Sequence, residues 1–165
     1  MSESIDFGSV THFTVGTLGE PGHRVFLLQA GSGSLILTVK VEKTQVLALI
    51  QGLAAAVEEL PRPHELAGDQ VLIGDLTPQW VVGSIEIEVD SITELIEVEL
   101  EELVAEGEEP DSARFIITRE QAAQFAITAT RLVERGRPPC PLCGYPLDPE
   151  GHSCPRTNGH RAPSL

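Results

Sequence analysis

Three runs of aliphatic and β-branched residues, "THFTVGTL" (11–18), "HRVFLLQA" (23–30) and "SLILTVKV" (34–41), lead straight into the amphipathic stretch "EKTQVLALIQGLAAAVEEL" (42–60). The same order then returns: "QWVVGSIEIEV" (79–89), "ELIEVELEEL" (94–103) and "ARFIIT" (113–118) precede "REQAAQFAITATRLVERG" (119–136). Short β-rich runs separated by Gly and Pro turns read as strands, and "GEPG" (19–22) and "GSG" (31–33) supply such turns. The spacing of Val46, Leu49, Ile50, Leu53 and Val57 predicts a helix with Thr44 as its N-cap; Ala122, Phe125, Ala126, Ala129, Leu132 and Val133 predict a second. The stretch 92–105 partly fits a helical period, but the strict alternation Ile85-Glu86-Ile87-Glu88-Val89 before it favours a hairpin. The fold class expected is therefore α+β. Two βββα-like halves, about 10–60 and 79–136, pack antiparallel sheet against helices. The shared wording "VGT" (15–17) with "VGS" (82–84), and "EKTQV" (42–46) with "TREQA" (118–122), points to an internal duplication. Residues 1–9 read as a frayed start, and "PRPHELAGD" (61–69) as a linker.

The core of this domain, residues 1–136, must be aliphatic. Of 165 residues 41% are hydrophobic but only 4% aromatic. No apolar run reaches the roughly 18 residues of a membrane span. The opening "MSESIDFGSV" has neither the basic nor the apolar region of a secretory signal, so a cytoplasmic protein with no membrane partner is expected. Charge is unevenly spread. Residues 63–113 carry 15 acids and no Lys or Arg, whereas 114–165 carry 7 Arg against 4 acids. A centre this acidic repels phosphate backbones, so nucleic acid is not an expected partner except through the tail. There Arg131, Arg135, Arg137, Arg156 and Arg161 would make the contacts.

Glu86, Glu88 and Asp90 share one strand face, and Glu97, Glu99 and Glu101 share another, because side chains alternate with period two. Paired, the strands would bring like charges together. Such a stripe serves either as the solvated outer face of an antiparallel sheet or as a docking surface for a basic partner or divalent cation. His12, His23 and His64 have no partners at ligand or triad spacing, and each reads as a surface or strand residue. No nucleophile elbow or phosphate loop occurs, so no catalytic residue is assigned.

Chemistry concentrates in "GRPPCPLCGYPLDPEGHSCPRTNG" (136–159), which holds all three cysteines. In Cys140-Pro-Leu-Cys143-Gly144 the two-residue spacer brings both thiolates to one side, and the glycine permits a tight backbone. Cys154 supplies a third sulfur. Zinc takes four Cys or His ligands in a tetrahedron. His152, two residues before Cys154, is the preferred fourth ligand, with His160 as the alternative. A site closed by four protein ligands is structural. A redox CxxC opens a helix after a strand, and the prolines here argue against that. Residues 137–165 are thus expected to form a small zinc-knuckle tail, of zinc-ribbon kind, holding structural Zn2+.

This last stretch, with "VGTLGEPGHRVFLLQA" (15–30) and "VEKTQV" (41–46), resembles a bacterial domain-of-unknown-function family common in actinobacteria. The resemblance implies that Cys-Pro-x-Cys-Gly and Gly-His-x-Cys-Pro-Arg belong to the family pattern, which includes His152 and stops short of His160. It also implies a role beside products of neighbouring genes, a phosphoglycerate-mutase-like phosphatase and a lipid-kinase-like protein. The leading expectation is a small cytoplasmic zinc-binding accessory protein or subunit working through protein partners. A homodimer through exposed sheet edges is a further expectation. The alternatives are an enzyme or enzyme subunit acting on a phosphorylated small molecule, and nucleic-acid binding through the arginine-bearing tail.

Overall fold

A computed structural model describes residues 2–20, 23–62 and 65–135. It is α+β, with two sheets and two helices. Strands β1 (Ser4–Ser9), β2 (His12–Leu18), β3 (Val25–Ser32) and β4 (Leu35–Val41) precede helix α1 (Lys43–Glu58). Strands β5 (Val82–Asp90), β6 (Leu95–Glu102) and β7 (Ser112–Thr118) precede helix α2 (Arg119–Arg135). One sheet has the order β2-β3-β4 and the other β1-β7-β6-β5. Every pairing between these strands is antiparallel except β1 with β7. Among the described residues no helix is long and apolar enough to cross a membrane.

Each three-strand run is a meander followed by a helix, as expected from the sequence, and 92–105 forms the β5–β6 turn and β6 rather than a helix. Three expectations are corrected. Residues 4–9 are not a frayed start: β1 pairs with β7, and Asp6 Oδ1 accepts from Gly8 N at 2.9 Å to hold a left-handed Gly8. Its signal was weak because Ser, Asp and Gly dilute the pattern. The N-cap of α1 is Glu42 rather than Thr44, because Gln45 at the third helical position completes a capping box with Glu42. The linker expected at 61–69 is not free of the fold, since Asp69 accepts from Gln124 and Thr128 of α2, and the chain beyond it packs on a sheet, as described below.

The two sheets are joined at both sides by the same device. After β1 the chain bends at Val10 and Thr11, whose amides donate to Ile116 of β7 and Gly31 of β3 respectively. At the other side residues 79–81 run parallel to β4, through Gln79 N to Thr38 O and Lys40 N to Trp80 O, before continuing into β5. Each meander thus sends the lead-in of its first strand to pair, parallel, with the last strand of the other. The helix starts match in the same way. Glu42 N donates to Gln45 Oε1 at 2.8 Å, and Gln45 Nε2 donates to Val82 O; Thr118 N donates to Gln121 Oε1 at 2.8 Å, and Gln121 Nε2 donates to Val10 O. Val46, Leu49 and Leu53 of α1 are buried, as are Ala122, Phe125 and Ala129 of α2. One continuous aliphatic core lies between the sheets and the helices, with Phe13 stacked on Phe125 at 4.2 Å and tilted against Phe115 at 5.2 Å.

The outward face of β2-β3-β4 is covered by its own chain. Residues 65–81 cross it as a strap. Gln70 secures the β2 edge, its Oε1 accepting from Phe13 N and its Nε2 donating to Thr11 O. Leu72 fills the space over Gly16, where a Cβ would approach to 2.6 Å. At the centre Gln29, 0% exposed, satisfies its whole amide. Oε1 accepts from Ile73 N at 2.9 Å with His12 Nε2 at 3.0 Å, and Nε2 donates to Ile73 O at 2.8 Å and Thr38 Oγ1 at 3.0 Å. A buried amide bonded on all sides stabilises modestly, but removing it strands its partners, at about 1–3 kcal/mol each. Gln29→Leu is therefore expected to lower unfolding free energy by about 2–4 kcal/mol in urea titrations. Amide exchange at Ile73 should accelerate well before the core of β3 opens.

Candidate interaction surface

The outward face of the four-stranded sheet is built by alternation. Ile96, Val98 and Leu100 of β6 and Ala113, Phe115 and Ile117 of β7 point to the core, so Glu97, Glu99 and Arg114 point away. Register then sets the neighbours: Glu86 lies opposite Glu99, Glu88 opposite Glu97, and Glu99 opposite Arg114. The two carboxylate rows expected from the sequence do meet on one face. What the sequence reading missed is the cation between them. Arg114 Nη2 donates to Glu99 Oε2 at 2.9 Å and its Nε lies 3.2 Å from Glu97 Oε1. Its signal was available in the alternation of β7, which fixes Arg114 on the polar face. Counting it with the basic C-terminal segment concealed this.

Arg114, 49% exposed, is held above its usual range by the Glu99 hydrogen bond and the charges of Glu97 and Glu99. No second cation comes from β5 or β6, so opposed like charges remain at Glu86 and Glu88. At the hairpin end of the face a cavity of about 450 Å3 opens between Asp90, Ile92, Leu95 and Ile116, with Glu88 and Glu97 on its rim. Asp90 shapes this end as a turn-former rather than as part of the stripe. Its carboxylate accepts from Thr93 N at 3.2 Å and Ile92 N at 2.9 Å. These bonds hold its carboxyl below the ordinary value of 3.8. Arg119, mostly buried, reaches back from the start of α2 to Glu94 at 2.9 Å and fixes the left-handed Glu94 of the same turn.

The other sequence-derived candidates fare differently. Cys140, Cys143, His152, Cys154 and the alternative His160 lie outside the described residues, as does His64. His12 is buried beside Gln29 under the strap, and His23 is exposed at the β2–β3 turn. Trp80 packs into the core just before β5. Among the described residues no group of three or more His, Cys, Asp or Glu is placed to hold a metal ion.

Comparison with protein families is decisive on kinship. A family described as "Protein of unknown function (DUF3090)" matches residues 5–154. The chain belongs to this family. The resemblance to an uncharacterised family is therefore correct, and the DUF3090 match runs through both sheets, both helices and as far as Cys154. No curated protein and no solved structure matches the chain.

Two outcomes follow from this face. Arg114→Gln should lower the thermal midpoint at low ionic strength by leaving the carboxylates unscreened. The gap to the parent should close in roughly 1 M salt, where screening acts over about 3 Å. For Asp90 the folded-state value is depressed, so its support for the turn is complete above 3.8 and is lost as pH falls through the lowered value. Exchange at the Ile92 and Thr93 amides, extrapolated for intrinsic acid effects, should rise only in that acid range.

Proposed function

We propose that this DUF3090 chain is a small zinc-binding accessory protein of the cytoplasm. In this reading a duplicated βββα scaffold carries a structural zinc knuckle that engages a protein partner. Cys140, Cys143, His152 and Cys154 supply the four ligands of a tetrahedral Zn2+. The observation that carries the reading is the placing of these residues within the family match: it extends to Cys154, so it includes all four and excludes His160. The two-residue spacer of 140–143 and the single-residue spacer of 152–154 keep each ligand pair close enough to meet one metal, and four protein ligands leave no open position for a reacting water. Duplication is supported by the matched glutamine clasps at Gln45 and Gln121 and by the reciprocal parallel crossovers.

The metal reading is tested by elemental analysis of protein purified without a metal-affinity tag. One zinc per chain is expected, lost in Cys140→Ser and His152→Ala and retained in His160→Ala. Substitution with Co2+ should give the ligand-field bands of a tetrahedral three-thiolate site. Because the core is bounded by residues that end with α2, Cys140→Ser should keep the far-ultraviolet spectrum and cooperative unfolding of the parent. A full chain without bound metal after growth in zinc-replete medium would overturn the assignment. A partner captured from native cytosol by the parent and released by the Cys140→Ser change would place recognition in the knuckle.

A further inference from the structure

The two meanders share one backbone plan but differ in covering. The glutamine clasps make Val10 and Val82 counterparts, because each accepts from the start of the opposite helix. Counting along the first strands from there makes Thr14 the counterpart of Glu86 and Gly16 that of Glu88. The registers carry the match across. Thr14 lies opposite Gln29 and Gln29 opposite Thr38, just as Glu86 lies opposite Glu99 and Glu99 opposite Arg114. Even the side-chain bond is repeated, Gln29 Nε2 to Thr38 Oγ1 in one row and Arg114 Nη2 to Glu99 Oε2 in the other.

In the first row Thr14, Gln29 and Thr38 are 2%, 0% and 3% exposed, because the segment that follows α1 lies over them. In the second row the side chains of Arg114 and Glu99 remain 49% and 32% exposed. The chain that follows α2 is residues 136–165. It can span the sheet many times over, at about 3.3 Å per residue when extended. Its charge also suits the face: it carries Arg137, Arg156 and Arg161 against Asp148 and Glu150, whereas 63–113 has no cation at all.

We propose that residues 136–165 cross the row Glu86–Glu99–Arg114 of their own chain, as residues 65–81 cross Thr14–Gln29–Thr38. Glu99 then takes the place of Gln29 as acceptor for the crossing backbone. Arg137, Arg156 and Arg161 supply the cations that Glu86 and Glu88 lack. The acidic face is accordingly a mount that presents the cysteine cluster, not the surface a partner protein meets. This does not depend on the cysteines holding zinc.

The test uses the full chain with Glu88, exposed on this face, replaced by the photoreactive p-benzoylphenylalanine. Equal amounts of 14N- and 15N-labelled protein are mixed, irradiated and digested, and the cross-linked peptides are weighed. Cross-links within one chain, from position 88 to peptides in 136–165, are expected. Their yield should fall several-fold when Arg137, Arg156 and Arg161 are all changed to Gln. A probe at Gln51, exposed on α1, should reach those peptides several-fold less. Mixed-isotope products joining two copies through this face, or no product with 136–165 at all, would overturn the proposal. A parent chain that carries no zinc yet still gives the cross-link would overturn the metal reading and leave this one standing, whereas a zinc-loaded chain without the cross-link would do the reverse.

Discussion

Each helix starts with a glutamine whose amide is shared between its own N-cap and the opposite half of the chain. Gln45 joins Glu42 N to Val82 O, and Gln121 joins Thr118 N to Val10 O. A helix N-terminus leaves amides without intrahelical partners, and an N-cap box satisfies part of that need. Here the same side chain also closes the point where a strand bends from one sheet into the other. Each meander pairs within its own half, but its lead-in finds a partner only in the other, since β1 needs β7 and residues 79–81 need β4. The single core spanning both sheets follows from this exchange.

The exchange also gives the sheets different fates. A sheet face is free only if no segment is long enough, and suitably placed, to cross it. The link between the halves travels from the end of α1 to the start of β5 over β2-β3-β4. It does so with a neutral polar row beneath it, anchored on Gln29, and with Leu72 set into the gap left by Gly16. Both edges of that sheet are occupied in the process, one by Gln70 and one by residues 79–81, which removes the backbone rows that invite unwanted pairing. The opposite sheet keeps its carboxylates, and a single arginine organises them.

Under the two proposals, the zinc knuckle and the acidic face would form one functional unit. A closed metal site orders a segment too short to bury a core of its own. A rigid sheet face with complementary charge would orient it. Charge alone contributes little at exposed positions, so the arginines and glutamates set register more than they set stability. This is the arrangement expected of an accessory protein whose recognition element is small and whose scaffold is comparatively large.

Local pattern alone determined much of this protein. Aliphatic and β-branched runs between turn residues placed six of the seven strands, the helical spacing of Val46, Leu49 and Leu53 placed α1, and that of Ala122, Phe125 and Ala129 placed α2. It also set the carboxylates on one face, and the repeated order of elements was visible without coordinates. These features are local, because alternation and helical period are properties of neighbouring residues. The tertiary structure alone decided that Ser4–Ser9 is a strand, since its partner β7 lies more than half the chain away and the segment has little pattern of its own. It alone showed that the chain beyond the 61–69 linker is a strap, because the strap's bonds run to Gln29, Phe13 and Thr38, residues no local window contains. It placed Arg114 between Glu97 and Glu99, which required the β6–β7 register rather than the composition of either strand.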